Sequence, residues 1–136
     1  MSTKSAIVFA DGGSRGNPGP SGAGALVKET DGDILAEVTR FLGTNTNNYA
    51  EYTSLIIGLE KALELGVNEV EVRMDSELIV KQMLGQYRVK NQNLKPLYET
   101  AKGLAGRFSQ FRIIHIERAL NTEADRLANQ AMDAGR

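Results

Sequence analysis

The chain has 136 residues, a length typical of one domain of about 100–150 residues. Sixteen Lys and Arg residues nearly balance 17 Asp and Glu residues, and the formal net charge of −1 excludes a protein that holds nucleic acid by bulk positive charge. There is no cysteine and only one histidine, which excludes disulfides, thiolate metal sites and multi-histidine zinc sites. Any bound metal therefore needs oxygen ligands, as Mg²⁺, Mn²⁺ and Ca²⁺ do.

The first part of the chain predicts three strands. The apolar run over residues 6–10 is typical of a strand that is buried on both faces and ends at Asp11. Residues 12–24 hold six of the fourteen glycines and predict a turn whose backbone comes close to another group. Strands are also predicted over 23–28 and 34–42, with a hairpin signal between them, so the three strands form an antiparallel meander.

Helices and strands alternate in the rest of the chain. Helices are predicted over 48–65, 78–83, 94–104 and 122–133, and strands over 70–74 and 111–117. Asn121 is the predicted N-cap of the last helix. The order βββ-α-β-αα-β-α predicts an α/β fold, and we expect a single domain over residues 1–136.

The sequence contains no run of apolar residues long enough to span a membrane, and its first apolar run is too short for the core of a signal peptide. We therefore expect a soluble, cytoplasmic protein. No feature of the sequence indicates an obligatory protein partner, and we expect a monomer.

Four carboxylates are predicted to converge at one edge of the sheet. Asp11 and Asp75 follow two predicted strands, at the edge where open α/β sheets bind ligands. Glu51 and Asp125 lie in the first turns of two helices, spaced to face the sheet with the apolar residues that follow. Two carboxylates about 4 Å apart repel by roughly 4 kcal/mol at an effective dielectric near 20. Shared protons, a nearby cation or a divalent metal can compensate, and the motifs contain no cation inside the cluster, which favours the metal.

Each of these carboxylates has a structural explanation when it is considered alone. Glu51 and Asp125 could be acidic residues at helix starts, which the helix dipole favours. Asp75 could cap the helix that follows it. Asp11 is harder to explain in this way, because it ends a strand with two buried faces. The combination of all four is what favours a metal site.

Four sequence blocks resemble the ribonuclease HI family, and together they cover nearly the whole chain. The blocks are FADGGSRGNPGPSGAGAL at 9–26, TNNYAEYTSLIIGLEKAL at 46–63, VRMDSELIVKQM at 72–83 and NTEADRLAN at 121–129. The resemblance implies the ribonuclease H-like fold, a five-stranded mixed sheet in which a three-stranded antiparallel meander adjoins parallel strands, flanked by helices. It also implies that the family's metal-binding and catalytic carboxylates are Asp11, Glu51, Asp75 and Asp125.

The same resemblance implies an endoribonuclease that hydrolyses the RNA strand of RNA/DNA hybrids. The family uses two Mg²⁺ ions, for which Mn²⁺ is the expected substitute, and leaves 3′-hydroxyl and 5′-phosphate ends. Because 2′-hydroxyls distinguish RNA from DNA, short hydrogen-bonding groups suit recognition of this substrate. The positions that match the family's substrate contacts are Gly12, Gly13, Ser14, Asn17, Thr46, Asn47, Asn48 and Glu77. Helix capping is the alternative role for Asn47 and Asn48.

The sequence departs from many family members in two places. Their basic handle, a Trp- and Lys-rich helix and loop after the second helix, is missing, since residues 86–94 contain only Arg88 and Lys90 as cations and the chain has no tryptophan. The loop before Asp125 is also too short for the family's catalytic histidine. His115 is predicted to be structural, within the last strand, whereas Arg118 is predicted to support the reaction by holding a phosphate. We expect a short form with weaker substrate affinity, unless a partner supplies the missing charge.

Three other functions fit parts of the pattern. Half of a sugar kinase or chaperone-type ATPase has a related fold, but such proteins clamp ATP between two domains. A junction resolvase or exonuclease shares the carboxylates, but the Thr46–Glu51 block favours reading of 2′-hydroxyls. A non-catalytic interaction module would not need four carboxylates.

Overall fold

A computed structural model describes residues 3–135 of the chain. The strands are β1 (Ser5–Ser14), β2 (Gly19–Glu29), β3 (Ile34–Asn45), β4 (Glu69–Met74) and β5 (Gln110–His115). The helices are α1 (Asn47–Glu64), α2 (Glu77–Met83), α3 (Lys95–Ala105) and α4 (Thr122–Ala134), with a 3₁₀ turn over Arg118–Leu120. The predicted order of elements is confirmed.

The five strands form one mixed sheet in the order β3-β2-β1-β4-β5. β2 is antiparallel to both β1 and β3, which confirms the predicted meander. β4 is parallel to β1, and β5 is parallel to β4. This arrangement is the five-stranded mixed sheet of the ribonuclease H-like fold expected from the sequence.

Helices cover the two faces of the sheet. The main core contains Val8 of β1, Val72 of β4 and the buried face of α1, including Tyr52, Leu55 and Leu59. On the other face, Leu26 of β2 packs with α4 in a smaller cluster that Phe9 joins from β1. β1 is fully buried only on the face that packs against α1. On the α4 face Phe9 is half-buried, so the expectation of two buried faces is met only in part.

The glycine-rich segment is mostly strand, and the predicted long turn over residues 12–24 is wrong. β1 continues to Ser14 and β2 begins at Gly19, so the turn itself is only Arg15–Pro18. The close backbone approach predicted for this segment is to a helix. At Gly24, a Cβ would lie 2.6 Å from the backbone nitrogen of Ala128 in α4. Glycine thus lets a helix pack directly on the sheet backbone.

Two further differences concern the end of the chain. β5 ends at His115 instead of residue 117, because its partner β4 ends at Met74 and the last link is Ile116 N–H donating to Met74 O. Asn121 occupies the N-cap position of α4, but its side chain makes no capping hydrogen bond.

The connection between α2 and α3 contains no helix, which agrees with the missing basic handle. Within residues 3–135, no helix is long and apolar enough to cross a membrane.

Candidate active site

Asp11 and Asp75 are neighbours because the ladder between β1 and β4 stops just before them. The last parallel pair is Ala10 with Met74, so the next residue on each chain emerges at the same edge of the sheet. Asp11 is not the end of β1, contrary to the sequence prediction, because β1 continues in antiparallel pairing with β2. The convergence of the two carboxylates depends on where the parallel pairing ends, not on where β1 ends.

A close contact between β1 and α1 brings Glu51 to the same place. The backbone N–H of Gly12 donates to Glu51 Oε1 at 2.6 Å. A Cβ at Gly12 would lie 2.1 Å from the carbonyl oxygen of Ala50, so only glycine allows α1 to approach this closely. Gly12 therefore allows the Glu51 carboxylate to lie beside those of Asp11 and Asp75.

Three carboxylates form a tight group, and a fourth lies beside it. Asp11, Glu51 and Asp75 each offer an oxygen atom, and these atoms all lie within 4.8 Å of one another. Asp125, in the first turn of α4, lines the same cavity and adds to the negative potential at Asp11. The four acidic residues expected at one sheet edge are thus brought together.

Burial changes the acidity of two of these groups. Asp11 and Glu51 each keep only 9% of their surface exposed. Burial, followed by repulsion from Asp75, raises the pKa of Asp11 to about 7. Burial and the neighbouring Asp11 raise the pKa of Glu51 well above its usual range, although the Gly12 N–H opposes this shift.

The donor set suits a divalent metal ion. Among residues 3–135, no Lys or Arg forms an ion pair with any of the four carboxylates. Repulsion between the carboxylates adds to burial in raising the pKa values of Asp11 and Glu51, and clustered carboxylate oxygens are the ligands that hard cations prefer. The residues therefore fit a divalent metal.

The carboxylates line a cavity of about 400 Å³ together with most of the predicted substrate-contacting residues. The other predicted residues in its wall are Gly12, Gly13, Ser14, Asn47, Asn48 and Arg118. Two hydrogen bonds fasten the β1–β2 turn to the start of α1. Asn47 Oδ1 accepts from Ser14 N–H at 2.8 Å, and Asn17 Oδ1 accepts from Asn47 N–H at 3.1 Å. Asn17 thus supports the cavity wall from outside it.

Besides Asn17, two predicted substrate contacts lie outside the cavity wall. Thr46 is the N-cap of α1, where its Oγ1 accepts from Tyr49 N–H at 3.2 Å. The capping role considered for Asn47 and Asn48 is therefore wrong, because Thr46 performs it. Glu77 is exposed at the start of α2 and pairs with Lys81 at 3.3 Å.

Arg118 and His115 occupy different environments. Arg118 lies in the 3₁₀ turn before α4 and lines the cavity, as expected. His115 is the last residue of β5, and its side chain is exposed and does not line the cavity. His115 lies within the last strand, as predicted, but its exposed side chain does not support the structural role predicted for it.

Two polar residues in the cavity wall, Arg15 and Asn129, were not predicted from the sequence. Arg15 reaches across to α4, where it pairs with Asp133 at 2.7 Å. Asn129 could have been predicted, because it follows Asp125 by one helical turn in the sequence. In the structure its amide donates to the Asp125 carbonyl oxygen at 3.0 Å. For Arg15, the only signal in the sequence was its position within the glycine-rich segment.

Comparison with known proteins agrees with this geometry. Residues 9–131 match the family model described as reverse transcriptase-like. The bifunctional protein Rv2228c of Mycobacterium tuberculosis is 51% identical over 129 residues, which cover 94% of this chain and 35% of that protein. The chain thus spans about a third of the length of this relative. The ribonuclease H of Hydrogenovibrio crunogenus is 33% identical over 151 aligned positions, covering 93% of this chain and 94% of that protein.

Solved structures show the same similarity in three dimensions. LC11-RNase H1, determined in complex with an RNA/DNA hybrid, is 42% identical, with a TM-score of 0.90 over 96% of this chain and 98% of that chain. The family model covers most of the chain, and the Hydrogenovibrio relative matches over nearly its full length. The strand order, the four carboxylates and these matches together place the chain in the ribonuclease H family.

Proposed function

We propose that the protein is an endoribonuclease that hydrolyses the RNA strand of RNA/DNA hybrids and leaves 3′-hydroxyl and 5′-phosphate ends. The observation that carries the proposal is the group of three carboxylates within 4.8 Å, with Asp125 beside it and no cation paired to it among the described residues. Membership of the ribonuclease H family and the similarity to a relative solved with a hybrid support the choice of substrate.

Asp11, Glu51, Asp75 and Asp125 are the residues that would hold the metal. Divalent ions bound there would supply Lewis-acid stabilisation of the attacking and leaving oxygens in phosphodiester hydrolysis. We propose two Mg²⁺ ions in the presence of substrate, with Mn²⁺ as a substitute. The raised pKa values of Asp11 and Glu51 fit this role, since a bound cation would favour their ionised forms.

The remaining cavity residues would bind and orient the substrate. The backbone over residues 12–14, where glycine leaves room for a close approach, and the side chains of Asn47 and Asn48 line the cavity with neutral polar groups that suit 2′-hydroxyls in a minor groove. Arg118 carries a permanent charge, so it would hold a phosphate and would not act as a general base. We retain Thr46 as a contact to the DNA strand and Glu77 as a contact to the RNA strand. Their exposure at helix starts leaves both accessible to a duplex.

The decisive experiment compares matched RNA/DNA, RNA/RNA and DNA/DNA duplexes of one sequence, in Mg²⁺ and in Mn²⁺. We expect cleavage of the RNA strand of the hybrid only, with end-group analysis giving 5′-phosphate and 3′-hydroxyl products. Cleavage of the DNA/DNA duplex would instead indicate a nuclease of the resolvase or exonuclease kind. Absence of cleavage in every duplex and with both metals would contradict the proposal.

A further inference from the structure

Asn121 lies at the start of α4 but does not behave as a capping residue. It is almost fully buried, with 1% of its surface exposed. A capping side chain would accept a hydrogen bond from a backbone N–H of the first turn, and Asn121 makes no such bond. Its Nδ2 instead donates to the carbonyl oxygen of Ala10 at 3.0 Å and to Asp75 Oδ1 at 2.8 Å.

The orientation of this amide follows from its two partners. The Ala10 carbonyl oxygen and the Asp75 carboxylate oxygen are both acceptors, so only the NH₂ group of Asn121 can face them. The same orientation leaves Asn121 Oδ1 buried with no hydrogen-bond partner within residues 3–135. The side chain of Asn121 thus bonds a carboxylate of the cluster and leaves the helix start without a side-chain cap.

The backbone of Asn121 joins the other parts of the site. Its carbonyl oxygen accepts from the N–H of Asp125 at 3.1 Å, and its own N–H donates to the carbonyl oxygen of Arg118 at 3.0 Å. One buried residue thus connects the end of the β1–β4 ladder, one carboxylate of the cluster, the turn that carries Arg118 and the helix that carries Asp125.

We propose that Asn121 is a positioning residue of the metal site. Its NH₂ group fixes the rotation of the Asp75 carboxylate and, through the Ala10 carbonyl, holds the start of α4 against β1. This inference rests on the metal site of the proposed function. Residues that hold metal ligands in place through hydrogen bonds affect metal affinity or activity by roughly 10- to 100-fold when they are changed.

The test measures Mn²⁺ binding to the full chain by calorimetry, alongside the thermal midpoint and the kcat and KM for an RNA/DNA hybrid. Asn121→Ala removes the donor, and Asn121→Asp keeps the shape but replaces the donor with an acceptor. We expect both variants to bind Mn²⁺ about 10-fold more weakly, with kcat lowered and KM little changed. Asn121→Ser, which keeps a small donor, serves where either variant fails to fold, and we expect it to lose less affinity.

Gln82→Ala is the matched control. Gln82 is also buried, and it accepts from the Tyr52 hydroxyl at 2.6 Å and donates to the Arg88 carbonyl at 3.3 Å, away from the carboxylates. We expect this change to lower the thermal midpoint and to leave Mn²⁺ affinity unchanged. Asn121 variants that lose stability but bind Mn²⁺ within twofold of the wild type would overturn the inference.

The binding measurement separates this inference from the proposed activity. A wild type that binds Mn²⁺ but cuts no hybrid, with weaker binding in the Asn121 variants, would contradict the proposed function and support the positioning role. A wild type that binds no Mn²⁺ would overturn the positioning role itself.

Discussion

Asp11 and Glu51 are placed where a carboxylate is costly. Both are buried, and each lies close to another carboxylate, so the ionised forms are disfavoured and the pKa of Asp11 rises to about 7. At either position, a neutral side chain would favour the folded state more than an ionised carboxylate does. Amide replacements therefore separate the contribution of each carboxylate to the chemistry from its effect on the fold.

We expect Asp11→Asn and Asp75→Asn to abolish cleavage of the hybrid while the fold is retained. Each change removes a proposed metal ligand and also one charge of a repulsive cluster, so Asp11→Asn should unfold at the same or a higher temperature without metal. Cleavage assays in Mg²⁺ and thermal unfolding in EDTA measure the two effects. Glu99→Gln, at an exposed position of α3, is the control and should change neither. Wild-type rates for either site variant would contradict the metal-site assignment.

His115 is the last residue of β5 and Arg118 lies in the turn that follows, and of the two only Arg118 lines the cavity. We expect Arg118→Ala to lower turnover by about 10-fold or more, equivalent to about 1.4 kcal/mol of transition-state or release-step stabilisation. His115→Ala should change neither kcat nor stability appreciably, because the side chain is exposed at the end of β5. Steady-state kinetics and unfolding of both variants test this pair. A catalytic loss at His115 with no effect at Arg118 would reverse the assignment.

At the scale of elements, the sequence predicts the order of helices and strands well because the apolar residues follow a clear period. The bounds of α1 are within one residue of the prediction, whereas the glycine-rich segment was wrongly predicted as one long turn. Glycine is typical of turns, but in β1 and β2 it permits close packing of helices on strands, and a local pattern does not reveal the approaching helix. The end of β5 was also predicted wrongly, because it depends on where the neighbouring strand β4 ends.

The candidate site was predictable as a set of carboxylates but not in its supporting contacts. The four acids stand in recognisable motifs, each near the start or end of an element. The pairing of Asn121 with Asp75 joins residues 46 positions apart, and Arg15 reaches the cavity only because the β1–β2 turn lies against α4. Contacts of this kind depend on tertiary packing and leave no periodic signal in the sequence.

A glycine substitution tests the packing of α4 on the sheet. We expect Gly24→Ala to destabilise the protein by about 1–3 kcal/mol, because the new Cβ would lie 2.6 Å from backbone and side-chain atoms of Leu127 and Ala128. Gly103→Ala is the matched control, since within residues 3–135 nothing beyond the local backbone of α3 lies within 4 Å of its Cβ position. That change should stabilise by about 0.5–1 kcal/mol, because alanine favours the helix. Urea unfolding measures both, and equal stabilities would contradict the packing described for α4.

At the scale of the whole molecule, the site makes the stability of the fold depend on pH. The pKa of Asp11 rises from 3.8 to about 7 on folding, so the folded state holds a proton that the unfolded state releases between these values. The contribution of this group is therefore fully present below about pH 4 and is lost as the pH rises through about 7. Glu51 acts in the same direction, because its pKa is also raised.

We expect the metal-free wild type to gain stability relative to Asp11→Asn as the pH falls from 8 to 5, by on the order of 1–3 kcal/mol. The difference between the two proteins cancels the titration of distant groups. Urea unfolding in EDTA across this range measures it, and saturating Mg²⁺ should abolish the trend by favouring the ionised cluster. A difference that is constant with pH would show that Asp11 is ionised throughout.

The charge of the whole molecule sets how strongly salt weakens hybrid binding. The formal net charge is −1, the connection between α2 and α3 has no basic handle, and the cations in the cavity wall are Arg15 and Arg118. Each neutralised phosphate contributes a slope of about −0.9 to the logarithm of the binding constant against the logarithm of salt concentration. We therefore expect a shallow slope, of about −2 for two phosphate contacts, for the inactive Asp75→Asn variant binding a fluorescent hybrid in KCl.

A ribonuclease H with a basic handle, made inactive by the equivalent change, should give a steeper slope under the same conditions. Adding Arg118→Ala to the Asp75→Asn variant should reduce the slope by about one, because one phosphate contact is lost. Gln110→Ala in the same background changes an exposed residue away from the cavity and should leave the slope unaltered. A slope as steep as that of the handle-bearing relative would mean that cations outside the cavity wall contact the duplex, and it would contradict recognition centred on neutral hydrogen-bonding groups.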